Sequence, residues 1–321
     1  MLVKSVFLIF QLLINSNSWT NVEKKESEEQ KYVVITIDDL PAVSYINSYD
    51  QRLEITDGIL SALKKHDAPG VGFVNESKLY QGKSLMKREL DLLQKWIKNG
   101  LVLGNHGFSH LNINSVDFAD YKEDILKGEE ITVRLMAASN HKVKYYRHPF
   151  LRRGNTVEKR EQLESYLVSI NYQEAPVTID NSEWIFAKAY SNAIESGDKE
   201  LQKKIGETYL QYMMDKTTYY EQQTEALFGN QIPQILLIHA NILNAHYLDQ
   251  LLLKFEENGY QFASLETALT HEAYNSKDDY VGNAGISWIH RWALTAGKSG
   301  DFFKGEPVCP QFIQDVAEIQ E

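Results

Sequence analysis

The stretch "HGFSH" places His106 and His110 four residues apart, just after the apolar run "LVLG". On a helical turn that spacing puts both imidazoles on one face, which suits a zinc-ligand pair. Taken alone, the pair reads more simply as two core histidines. Asp38 and Asp39 close the β-branched run "YVVITI". Two adjacent carboxylates at the mouth of a buried strand are costly unless a cation or metal pairs with them. Alone, they also suit a strand-to-loop cap. Arg147 follows "KVKYY", Asp180 and then Trp184 follow "EAPVTI", and His239 follows "QILLI". Each has a bland reading by itself: a surface cation, a loop carboxylate, a core histidine. Together, five strand-forming runs end in order on titratable or charged groups. That coincidence points to one catalytic site.

Such a site needs a scaffold that gathers strand ends. Strand candidates fall near residues 33, 72, 102, 145, 175, 236 and 261, separated by helical patterns. Examples are "EITDGILSALKKH", "LMKRELDLLQKWIKNG", "DFADYKEDILKGEEITVRLMAA", for which Asp117 is a candidate N-cap, and "AHYLDQLLLKFEENG". Alternating strands and helices imply a parallel sheet with helices outside. Seven or eight such units close into a barrel, which carries its functional groups at the C-terminal strand ends. The fold class expected is α/β: a distorted (β/α)7 barrel of parallel strands with outer helices, a helical insertion and a C-terminal extension. The barrel is expected over 32–270, with the insert at about 190–230 and the extension at 271–321. The insert carries Tyr209, Tyr212, Tyr219 and Tyr220, read as aromatics buried where a helix lies on the barrel. Trp288 and Trp292, at helical spacing in the tail, are read as packing residues.

Composition narrows the setting. Hydrophobic residues make up 43% of the 321, enough for a sizeable core. The net charge of -11, with no basic run interleaved with aromatics, argues against nucleic acid as a partner. The one cysteine, Cys309, cannot form an internal disulfide and has no metal-ligand spacing. Residues 1–18 read as a signal peptide, with Lys4 before an apolar Val6–Ile14 run and small residues at Ser16 and Ser18. That run is shorter than the roughly 20 residues a membrane span needs. The charged stretch to residue 31 reads as a linker. The expected setting is periplasmic or secreted, with no transmembrane span in the mature chain.

The ordered set "TIDD" (36–39), "HGFSH" (106–110), "RHPF" (147–150), "DNSEW" (180–184) and "LIH" (237–239) resembles the five motifs of the polysaccharide deacetylases. This is carbohydrate esterase family four, the nodulation-protein-B homology domain. The resemblance implies a divalent metal held by Asp39, His106 and His110, most often Zn2+, with Co2+, Ni2+ or Fe2+ also suited to these donors. A carboxylate and two imidazoles leave a position open, the form of a catalytic site. It further implies Asp38 as general base, held ionised by Arg147, and His239 as general acid, held charged by Asp180. Trp184 would line the pocket, the backbone N–H of Phe150 would hold the oxyanion, and Leu237 would meet the acetyl methyl. Phe150 and Ile37 stand where the family often has Tyr and Phe. The expected reaction is removal of N-acetyl groups from an N-acetylated glycan by activated water. The competing readings are hydrolysis of another non-peptide amide on the same fold, and a non-catalytic glycan-binding relative.

Overall fold

The computed structural model describes residues 30–46 and 48–321. The expected signal peptide, and the expected linker up to residue 29, lie outside the described residues. Among the described residues, seven strands form one sheet: β1 (Lys31–Leu40), β2 (Gly70–Val74), β3 (Val102–Asn105), β4 (Tyr145–Tyr146), β5 (Gln173–Glu174), β6 (Gln234–His239) and β7 (Tyr260–Phe262). The order is β5-β4-β3-β2-β1-β6, with β7 pairing the start of β1, and every pairing is parallel. The extended segment after β5 closes the curl. It starts against β4, where the Ala175 amide donates to the Tyr146 carbonyl (2.9 Å), and it ends against β6, where Ile179 bridges Leu236. The seven expected strands are all present. The strand expected over "KVKYYR" narrows to Tyr145–Tyr146.

Strands β1, β2, β3 and β6 are mostly apolar runs because both their faces are covered. In β1, Val33, Ile35 and Ile37 join the large core shared with the outer helices. Val34 meets Val71, Phe73, Tyr145, Ala175 and Ile235, contributed by the other strands and the closing segment, inside the barrel. Side chains alternate along a strand, so Val34, Thr36 and Asp38 form one inward column that ends at the barrel mouth.

The outer helices are α1 (Tyr49–Lys65), α2 (Lys87–Lys98), α3 (Phe118–Lys127), α4 (Glu130–Ala137), α5 (Val157–Ser169), α6 (Glu183–Glu195), α7 (Lys199–Phe228) and α8 (Ile242–Glu257). Side-chain caps start several of them: Ser48, Thr156, Asp198 and Asn241 accept from backbone amides in the first turns of α1, α5, α7 and α8. Asp117 occupies the N-cap position of α3, but its side chain makes no capping bond. The single helix expected over 117–138 is two helices, α3 and α4. They part at Gly128, where an added Cβ would lie 2.5 Å from the Gly107 carbonyl carbon and 2.6 Å from the Phe108 nitrogen. The close approach of the 107–108 backbone breaks the helix.

Tyr209, Tyr212, Tyr219 and Tyr220 of α7 are buried. After β7 come α9 (Leu265–Ala268), α10 (Trp288–Thr295) and α11 (Gln311–Ala317). Trp288 and Trp292 are buried, and the Trp288 amide donates to the Val177 carbonyl of the closing segment (2.7 Å). Among the described residues, no helix is long and apolar enough to cross a membrane.

Candidate active site

The strand-end residues converge at the C-terminal mouth of the barrel. Asp38 and Asp39 lie just before Leu40, the last residue of β1; His106 follows β3, Arg147 follows β4, Asp180 follows the closing segment, and His239 ends β6. Asp38 and His239 are register partners across β1 and β6.

Asp39, His106 and His110 offer one ligand atom each, all within 4.8 Å of one another. Asp39 Oδ1 lies 3.8 Å from His106 Nε2 and 3.9 Å from His110 Nε2. Asp38 Oδ2 is as close to His106 Nε2 (3.7 Å) but makes no such approach to His110. Asp39 therefore reaches both imidazoles. Its backbone is left-handed, with φ 70°, as is that of His110, with φ 56°. These conformations are uncommon for residues with a Cβ and cluster at functional sites. His106 Nδ1 lies 2.8 Å from the Arg147 carbonyl, to which it donates, so the Nε2 lone pair faces the site. Burial pushes the proton affinity of His106 far down, and that of His110 down, which keeps both rings neutral. Burial would raise Asp39, but the neighbouring positive charge, led by Lys78 and including the protonated His239, outweighs it and holds the carboxylate well below its usual range. Asp39 Oδ1 is buried with no hydrogen-bond partner among the described residues. A buried, ionised, unpartnered oxygen beside two neutral imidazoles fits a divalent cation.

Asp38 sits behind this triad. Burial pushes its carboxyl up to about 6, against the lowering effects of Arg147 and His239. Arg147 is fully buried, with Nη1 3.5 Å from Asp38 Oδ2 and Nη2 donating to Thr36 Oγ1 (2.9 Å). Its guanidinium also lies 4.7 Å from the centre of the Phe73 ring. Thr36 and Phe73 thus brace the cation from inside the barrel.

His239 corrects one expectation. The carboxylate at its Nδ1 is Glu183, at 2.8 Å, and not Asp180. Glu183 is fully buried in the first turn of α6, and its other oxygen accepts from Asn241 and Asn244. Burial alone would lower the affinity of His239 for its proton, but the Glu183 bond and charge, with Asp39 and Asp38, raise it to about 9. Asp180 accepts instead from the Asn181 amide, and burial pushes its carboxyl up to about 6, opposed by Lys216. It acts on His239 through space only. The missed residue had a signal: "DNSEW" holds two carboxylates, and the second falls where a helix begins.

Around the mouth, Trp184 and Phe150 are about half exposed, and Leu237 is buried. The Phe150 ring lies 4.4 Å from His110, on a backbone with φ 57°. Tyr45, also partly exposed, reaches the Trp184 carbonyl at 3.4 Å. The "HGFSH" loop is held from outside. Asp124 of α3 accepts from the Phe108 and Ser109 amides (3.0 and 2.9 Å), and Asn105 accepts from the Gly107 amide (2.7 Å). Ser109 is a loop residue whose amide is tied to Asp124.

Residues 25–167 match the model of the polysaccharide deacetylase family. This bears out the family resemblance. The match spans the first three motifs, and the motifs at 180–184 and 237–239 lie beyond it. A curated relative, the peptidoglycan-N-acetylglucosamine deacetylase of Bacillus cereus, is 28% identical over 152 residues, 47% of this chain and 46% of that protein. The chain thus matches about half the length of that relative. Among solved structures, the peptidoglycan deacetylase PdaC of Bacillus subtilis is 19% identical with a TM-score of 0.48, over 77% of this chain and 95% of that one. A mutant of a carbohydrate esterase family four pseudoenzyme from Bacillus anthracis, with restored enzymatic activity, is 20% identical with a TM-score of 0.49, over 75% and 68%.

Proposed function

We propose that this chain is a metal-dependent hydrolase that removes N-acetyl groups from amino sugars of a polysaccharide or oligosaccharide. One observation carries the reading. The triad Asp39, His106 and His110 shares the barrel mouth with a carboxylate braced by arginine, Asp38, and a histidine braced by glutamate, His239. A candidate base and a candidate acid thus stand beside a candidate Lewis-acid site, the set that hydrolysis of an unactivated amide calls for. A divalent ion there, zinc by donor type, would lower the pKa of water and polarise the acyl carbonyl.

The chain's own residues supply the rest. Asp38 takes the proton of the attacking water, and Arg147 keeps its carboxylate ionised and aimed. His239 enters the reaction protonated and gives that proton to the leaving nitrogen as the C–N bond breaks. Glu183 holds the imidazolium through Nδ1, so Nε2 is free to face the nitrogen. The amide of Phe150 is the donor assigned to the oxyanion. Trp184 and Phe150, each about half exposed, are the aromatic side chains offered to a sugar ring. The Bacillus cereus relative is named for peptidoglycan N-acetylglucosamine, which supports this sugar as the substrate class. An exported enzyme would meet such glycans at the cell envelope, in keeping with the signal-peptide reading of residues 1–18.

The test is Asp38→Asn, assayed for acetate release from N-acetylglucosamine oligomers. The variant is expected to keep its metal and lose at least about a hundredfold in rate, the scale of general-base catalysis. Full activity in that variant would sink the role given to Asp38.

A further inference from the structure

The turn after β2, "NESK" at 75–78, touches both metal-binding motifs at once. The Asn75 amide donates to the Leu40 carbonyl (3.2 Å), and Asn75 Nδ2 donates to the His106 carbonyl (2.7 Å). The Ser77 amide donates to the Phe108 carbonyl (3.0 Å). Lys78 Nζ donates to the Asp39 carbonyl (2.8 Å) and lies 3.5 Å from Asp39 Oδ2. The turn is itself anchored: the buried Glu76 carboxylate accepts from the Ile131 and Thr132 amides at the start of α4 (2.9 and 2.6 Å). Asp39 is thereby divided. Oδ1 faces the two imidazoles and has no hydrogen-bond partner among the described residues, while Oδ2 faces a lysine cation.

From this geometry we infer that the 75–78 turn positions the metal triad, and that Lys78 reserves Asp39 Oδ2, leaving Oδ1 as the single oxygen offered to the ion. The inference rests on the metal reading above. Lys78 is a positioning residue: it acts through Asp39. It holds a left-handed carbonyl in place and stops the carboxylate from turning to give both oxygens.

The test uses the full chain, stripped by a chelator and titrated with Co2+. The visible spectrum reports coordination, and competition with a chelator reports affinity. Lys78→Met is expected to change the Co2+ spectrum, as Asp39 gains freedom to give both oxygens. Its affinity is expected to fall about tenfold, the low end for loss of a group that orients a ligand. Lys78→Gln keeps a donor but no charge, and is expected to change the spectrum in the same sense; it carries the test should the Met variant fail to fold. An unchanged spectrum, or tighter binding from simple loss of a repelling charge, overturns the inference. Wild-type protein that takes up no Co2+ overturns the metal reading as well. Wild-type binding with variants that match it overturns the role of Lys78 alone.

Discussion

His239 keeps its proton to about pH 9 because the Glu183 hydrogen bond and charge outweigh a burial that would strip it. As the proposed general acid, His239 must be protonated to act, so the alkaline limb of the rate profile is expected near 9. Glu183→Gln removes the charge that raises it. That limb is then expected to shift toward the ordinary histidine value of 6.5, with a rate loss of about a hundredfold at neutral pH. Asp180→Asn, which breaks no bond to His239, is expected to move the limb far less. A limb that stays put in Glu183→Gln and shifts in Asp180→Asn would reverse the assignment. The residues at strand ends were legible because a parallel barrel brings such ends together whatever lies between them. Glu183 was not, because its place depends on where the chain turns into α6. Ser182 is the N-cap there, so the next residue enters the first turn beneath His239. Lys78 was illegible for a similar reason. Most bonds of its turn go to backbone carbonyls, which leave no residue-type pattern to read.

At the scale of elements, the His106–His110 loop depends on a break in a helix. Asp124 closes on the Phe108 and Ser109 amides from the end of α3, and Gly128 lets the loop backbone approach. Periodicity over 117–138 is continuous across that point, so sequence gave one helix where packing makes two. Gly107 is held at φ 76°, and an added Cβ would lie 2.6 Å from Asp124 Oδ2. Gly107→Ala is therefore strained both in backbone and against Asp124. It is expected to lower stability by about 1–3 kcal/mol, seen as a lower denaturant midpoint, and to weaken zinc binding. A variant with wild-type stability and zinc affinity would show that the loop is not held as described.

For the molecule as a whole, the C-terminal segment is tied to the barrel by a buried ion cluster. Asp278 bridges Arg153 (2.7 Å) and Arg291 (2.6 Å), and Arg153 also pairs with Glu174 of β5. Removing one partner of buried charges leaves the others uncompensated, so Asp278→Ala is expected to cost about 3–5 kcal/mol in unfolding free energy. A change under about 0.5 kcal/mol, the scale of ordinary surface substitutions, would mark the cluster as incidental. The barrel itself was legible from seven apolar runs and the helices between them. Its closure was not, because one extended segment pairs with β4 at its start and with β6 at its end. The central claim, a metal ion serving amide hydrolysis at this mouth, is tested most directly by adding zinc back to the chelator-stripped chain. Acetate release from N-acetylglucosamine oligomers is measured against bound metal. The account predicts that activity rises in step with zinc and levels off at about one ion per chain. Full activity in metal-free protein, or a filled site with no acetate released, would contradict it.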